Sequence, residues 1–86
     1  MAKYSIEIKK SAAKEIENLP KRELQIVLHK IHSLTENSRP HGHEKLSGQD
    51  KCRVRCGDYR ILYIIEEVIL IVCVVKVGHR KDVYRG

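Results

Sequence analysis

The sequence predicts a small α+β domain in the order β-α-α-β-β-β, a mainly antiparallel sheet packed against a helical hairpin. Three observations predict it. Polar and apolar residues alternate at the N-terminus, apolar residues recur at helical spacing between positions 12 and 34, and three β-rich runs separated by turn signals fill positions 52–77. A chain of 86 residues supports one modest core, so residues 1–86 form a single domain and any function sits on its surface.

Tyr4, Ile6 and Ile8 alternate with Ser5 and Glu7, the period-two signature of a half-buried first strand. Beyond Lys9 and Lys10 the period changes. Ser11 is placed to cap a helix whose apolar positions are Ala12, Ala13, Ile16 and Leu19. Pro20 closes that helix and, because proline is tolerated in a first turn, opens a second one with Leu24, Val27, Leu28, Ile31 and Leu34 as its buried stripe. From 37 to 50 no period holds, and Pro40, Gly42 and Gly48 punctuate a loop around the short segment 44–46. Cys52, Val54 and Cys56 then share one face of a strand and Arg53 and Arg55 the other. Gly57 and Asp58 make a two-residue hairpin turn into a strand over 59–65, and Glu66 with Glu67 marks a polar reversal. Residues 68–77 form the last strand, apolar on both faces except at Lys76, which suits a central position.

Hydrophobic residues make up 42% of the chain and charged residues 33%, with five Gly and two Pro, a globular rather than disordered composition. Cys52 and Cys56, on one strand, lie about 13 Å apart, too far for a disulfide. The longest apolar run falls far short of the ~20 residues of a membrane-spanning helix, and the N-terminus lacks the apolar core of a signal peptide. A reduced, cytoplasmic setting is the expectation. The net charge is +6 and unevenly spread: residues 1–50 carry +2 and residues 51–86 carry +4. A polyanion or an acidic protein is the expected partner.

Strand alternation sets Arg53 and Arg55 about 7 Å apart on one side of a strand, a separation on the scale of neighbouring phosphates. Arg60 lies across the tight hairpin, and Arg80 and Tyr84 follow the last strand. Charged residues on an exposed strand are ordinarily a solvated face. Here four arginines with few acidic partners gather on two adjoining strands and a tail, and the guanidinium suits bidentate phosphate recognition.

The segments Lys45-Leu46-Ser47-Gly48, Arg53-Val54-Arg55, Gly57-Asp58-Tyr59-Arg60-Ile61-Leu62-Tyr63 and Val77-Gly78-His79-Arg80-Lys81-Asp82-Val83-Tyr84 resemble the RelE/ParE toxin superfamily over nearly the whole chain. The resemblance implies a toxin of a toxin–antitoxin pair. Within it, the RelE branch comprises metal-independent, ribosome-dependent endoribonucleases that need no cofactor. They cut mRNA in the ribosomal A site by attack of the 2′-hydroxyl on the adjacent phosphate. By position, Arg53, Arg55, Arg60, Arg80 and Tyr84 match the family's catalytic set, and Lys45 and Lys81 add contacts to RNA. The implied partners are the ribosome, its mRNA and an acidic, RelB-like antitoxin.

RelE enzymes carry lysines where this chain has Arg53 and Arg55, and an arginine does not surrender its proton. The general base implied is then Tyr84, His79 or a ribosomal group. The ParE branch, which inhibits DNA gyrase, and a non-catalytic nucleic-acid-binding module are the alternatives. His29 and His32 on a helix and His41 and His43 in a loop lack the accompanying ligands of a metal site, and the three cysteines read as small buried hydrophobes.

Overall fold

The computed structural model of the protein describes residues 3–46 and 51–81. Strand β1 (Ser5–Ile8) runs directly into helix α1 (Lys10–Glu17), followed by α2 (Lys21–Ser33), a short β2 (Glu44–Lys45), β3 (Lys51–Cys56), β4 (Tyr59–Glu66) and β5 (Ile71–His79). The strands form one sheet in the order β1-β5-β4-β3-β2. Every neighbouring pair is antiparallel except β1 with β5, which run parallel. The α+β architecture is the one expected from the sequence, with β5 in the interior of the sheet.

The turn from β1 into α1 differs from the expectation. Ser11 lies inside the helix, and Lys9 occupies the capping position in an extended conformation without a side-chain cap. Its N–H donates to the Val74 carbonyl (2.9 Å) and its carbonyl accepts from Ala13 (2.8 Å), so the sheet itself fixes where the helix begins. Pro20 does divide the helices: α1 closes at Asn18, and Pro20 precedes α2, its carbonyl accepting from Leu24 at 2.8 Å.

The helices cover one face of the sheet. Ala12, Ile16, Val27, Ile31 and Leu34 pack on Cys52, Val54, Cys56, Ile61, Tyr63, Val72, Val74 and Val77. Burying one such aliphatic side chain contributes about 1.5–3 kcal/mol. Leu28, expected in this stripe, is 41% exposed, because Val27, Ile31 and Leu34 complete the contact and its direction falls outside them. Tyr63 is fully buried and its hydroxyl donates to the Ser38 carbonyl at 2.8 Å, which anchors the loop after α2.

Two further differences concern the sheet. The segment expected as loop contributes β2, whose Glu44 and Lys45 pair with Arg53 and Cys52. The last strand begins at Ile71 rather than at position 68: Glu66 pairs with Ile71, so residues 67–70 make the reversal, and Val68 and Ile69 are 98% and 63% exposed. Apolar composition does not distinguish a turn from a strand here. Leu70 takes a left-handed φ of 55°, and its carbonyl accepts from the Ser5 N–H at 2.8 Å, a contact that ties the turn to β1. No helix among the described residues is long and apolar enough to cross a membrane.

Candidate nucleic-acid interface

Only Gly57 and Asp58 separate the paired residues Cys56 and Tyr59. Gly57 has φ +62°, a left-handed conformation that glycine adopts without steric cost. This turn sets the β3–β4 register, and the register sets the site. Residues directly opposite in an antiparallel pair project to the same face. Tyr59, paired with Cys56, therefore joins the helix-covered face. Arg60, paired with Arg55, joins the open face beyond it.

Rows run across the open face. Arg55, Arg60 and Gly78 form one, Arg53, Leu62 and Lys76 the next, and Lys51, Ile64 and Cys73 a third. Arg80 follows β5 beyond the first row, where its N–H donates to the Asp58 carbonyl at 2.8 Å and holds the end of β5 against the hairpin turn. Arg60 bends back over the turn, its Nη1 donating to the carbonyls of Gly57 (3.3 Å) and Tyr59 (3.1 Å). Arg53 donates to Glu44, its cross-strand neighbour on β2, at 2.5 Å.

Partial burial lowers the pKa of Arg60, and the charges of Arg55, Arg53 and Arg80 lower it further, opposed by Asp58. The charges of the other three guanidiniums thus bear on Arg60. An arginine in water remains protonated at neutral pH, so the cluster holds concentrated positive charge that a phosphate would relieve. Preorganised charge of this kind stabilises an anion most where the anion's charge is greatest.

The structure brings together Arg53, Arg55, Arg60 and Arg80 among the residues singled out from the sequence. His79 pairs with Tyr59 and so lies on the opposite, helix-covered face, its ring edge-on to Tyr59 at 5.8 Å and its Nδ1 accepting from the Lys81 N–H at 3.2 Å. Lys45 pairs with Cys52 and belongs to that same far face, and Lys81 is exposed beyond β5. Tyr84 lies outside the described residues. His43, considered above for metal binding, has its Nδ1 3.0 Å from the Pro40 carbonyl, a contact within the loop.

Sequence reasoning missed Lys51 and Lys76 as members of the open face. A register shift opposite the Leu62–Tyr63 step pairs Leu62 with Lys76 and Tyr63 with Val74, leaving Val75 as an extra residue. Helix α1 accommodates this irregularity: Glu15 Oε1 accepts from the Val77 N–H at 3.0 Å, and Oε2 faces Lys76 Nζ at 3.4 Å. The one signal in the sequence was Lys76 itself, a lone charge in an apolar run.

The fold is that of the RelE toxins. A chain of the Mycobacterium tuberculosis RelBE2 toxin–antitoxin complex superposes with a TM-score of 0.82 at 25% identity, covering 91% of this chain and 99% of that one. A chain of the Pyrococcus horikoshii RelE–RelB complex gives 0.82 at 27% identity, covering 95% and 99%. A toxin named RelE1 of Methanocaldococcus jannaschii is 29% identical over 98% of both chains. The family model described as the ParE toxin of type II toxin–antitoxin systems matches residues 6–84. The chain belongs to that family, and with it to the RelE/ParE superfamily of toxins.

Proposed function

We propose that the protein is a ribosome-dependent endoribonuclease toxin that cleaves mRNA in the A site without a metal. The observation that carries this reading is the convergence of Arg53, Arg55 and Arg80 on Arg60 at one end of an open sheet face. In the reaction the 2′-oxygen bonds to the adjacent phosphorus and the bond from phosphorus to the 5′-oxygen breaks. The products are a 2′,3′-cyclic phosphate and a 5′-hydroxyl, and no water is consumed.

The pentavalent transition state carries more charge on its oxygens than the ground state does, so fixed guanidiniums favour it differentially. Arg55 and Arg60, side by side, bind the non-bridging oxygens. Arg53 holds the neighbouring phosphate, and Arg80 stabilises the charge growing on the leaving 5′-oxygen, which takes a proton from solvent to become the 5′-hydroxyl. Tyr84 orients the 2′-hydroxyl or stacks on a splayed base. His79 is turned to the other face, so the proton from the 2′-hydroxyl goes to Tyr84 or to a group of the ribosome. The same reading gives the toxin a cognate acidic antitoxin, as the RelE relatives have RelB, and a cytoplasmic site of action.

The family model's description as a ParE toxin supports a second reading, inhibition of DNA gyrase. One experiment separates the two. A reporter message is translated with the protein, and its 5′ ends are mapped by primer extension beside Arg80→Ala and Tyr84→Phe variants. Codon-phased cuts that weaken or vanish in the variants are expected. Intact message together with gyrase-dependent DNA breaks would replace this reading with the second.

A further inference from the structure

Beside the arginine cluster the open face is no longer polar. Leu62, Ile64, Cys73 and Val75 floor a groove of about 420 Å³ that runs from the Arg53–Leu62–Lys76 row toward the start of α1. Leu62 is only 5% exposed although it faces away from the helices and lies outside their core. Lys51 and Lys76 stand on the rim, and Glu15 forms part of the wall.

We infer that this groove seats a nucleoside of the same RNA strand whose phosphates the arginines hold, with Glu15 reading the edge of its base. The inference rests on the RNA reading above. Charge complementarity selects the occupant: an apolar floor bordered by Lys51 and Lys76, with Leu62 in the same cross-strand row as Arg53, fits a ligand that is flat and apolar in one part and anionic in the next. The groove's row and the Arg55–Arg60 row are about 7 Å apart by strand geometry, comparable with one nucleotide step along a single strand. The volume lies within the range of pockets that hold small ligands. Glu15 supplies selectivity. Its Oε1 accepts from the Val77 N–H at 3.0 Å, which fixes the carboxylate, and Oε2 accepts from Lys76 Nζ at 3.4 Å, with its second lone pair left for a base in the groove that Glu15 lines. A carboxylate acceptor pairs with an exocyclic amino group, so cytosine or adenine is preferred to uracil.

Cys73 provides the test, because it lines the groove while Cys52 and Cys56 are buried in the core. Maleimide labelling of Cys73 in the full-length protein is followed with single-stranded 2′-O-methyl oligonucleotides of C, A or U, which keep bases and phosphates but cannot be cut. Oligo-C and oligo-A are expected to slow labelling at least fivefold, oligo-U less, and inorganic polyphosphate not at all. In Glu15→Gln the side-chain oxygen retains the Val77 N–H and an amide NH₂ faces the groove, so the order shifts toward oligo-U. Equal protection by polyphosphate, or protection only by an acidic peptide with apolar side chains, overturns the inference. Strands that bind by fluorescence anisotropy, lose affinity in Arg60→Ala and yet leave Cys73 unprotected overturn the groove alone. Strands that fail to bind the free protein at all overturn the inference, while the RNA reading itself stands or falls with codon-phased cleavage of translated message.

Discussion

Arg60 is held before any ligand arrives. Two backbone carbonyls accept from its Nη1, and three other guanidiniums surround it. An interaction prepared in this way costs little reorganisation when a phosphate enters, and its strength is realised as charge builds on the phosphate. Arg60→Ala is expected to lower the rate of codon-phased cleavage by about 100- to 1000-fold, measured by primer extension on translated message. Arg60→Lys should recover only part of this loss, because an ammonium has no planar fork to span two oxygens. Equal activity in the lysine variant would show that charge alone matters at this position.

The β3–β4 hairpin converts a local turn into a functional site. Its register decides that Arg55 and Arg60 stand opposite one another and that Tyr59 and His79 go to the other face. Gly57, at φ +62° with open space where a Cβ would point, makes that register possible. Gly57→Ala therefore meets no clash, only the backbone cost of a left-handed conformation, about 1–2 kcal/mol. Urea unfolding should show that loss. Anisotropy should show weaker oligonucleotide binding than in the wild type, since a distorted turn separates Arg55 from Arg60. Unchanged affinity in a destabilised variant would mean that the turn sets stability but not the site.

At the scale of the whole molecule, a 10.0 kDa chain has little stability to spare, and its core contains groups that resist ionisation. Burial raises the thiol pKa values of Cys52 and Cys56 and the phenol of Tyr63 above their ordinary values. Each is protonated in the fold at pH values where the unfolded chain has begun to lose the proton, so the native state binds more protons and stability falls as pH rises. The decline begins near pH 9 for the thiols and near pH 10 for the phenol, the values of the unfolded groups. Urea midpoints under reducing conditions should show a loss on the order of 1 kcal/mol between pH 8 and pH 10.5. Tyr63→Phe should flatten part of that slope while lowering stability at pH 8, since the Ser38 carbonyl loses its donor. A flat profile would contradict the burial of these groups.

Local patterning along the chain specifies the two helices and every strand but β2, the hairpin at Gly57 and Asp58, and the division of β3 into a cysteine face and an arginine face. Those features follow from local geometry: strand alternation, helical spacing and turn chemistry act over a few residues and leave their pattern in the order of the chain. Tertiary structure alone decided the rest. The parallel pairing of β1 with β5, the start of β5 after the exposed Val68 and Ile69, the two-residue β2 and the irregularity at Val75 depend on partners distant in sequence. So does the site. Arg80 reaches the hairpin through a backbone hydrogen bond to Asp58, Lys76 enters the open face because an extra residue shifts the register, and Glu15 arrives from α1 to accept the Val77 N–H. Each of these placements depends on pairing between strands or on a hydrogen bond between distant segments, which local periodicity does not encode.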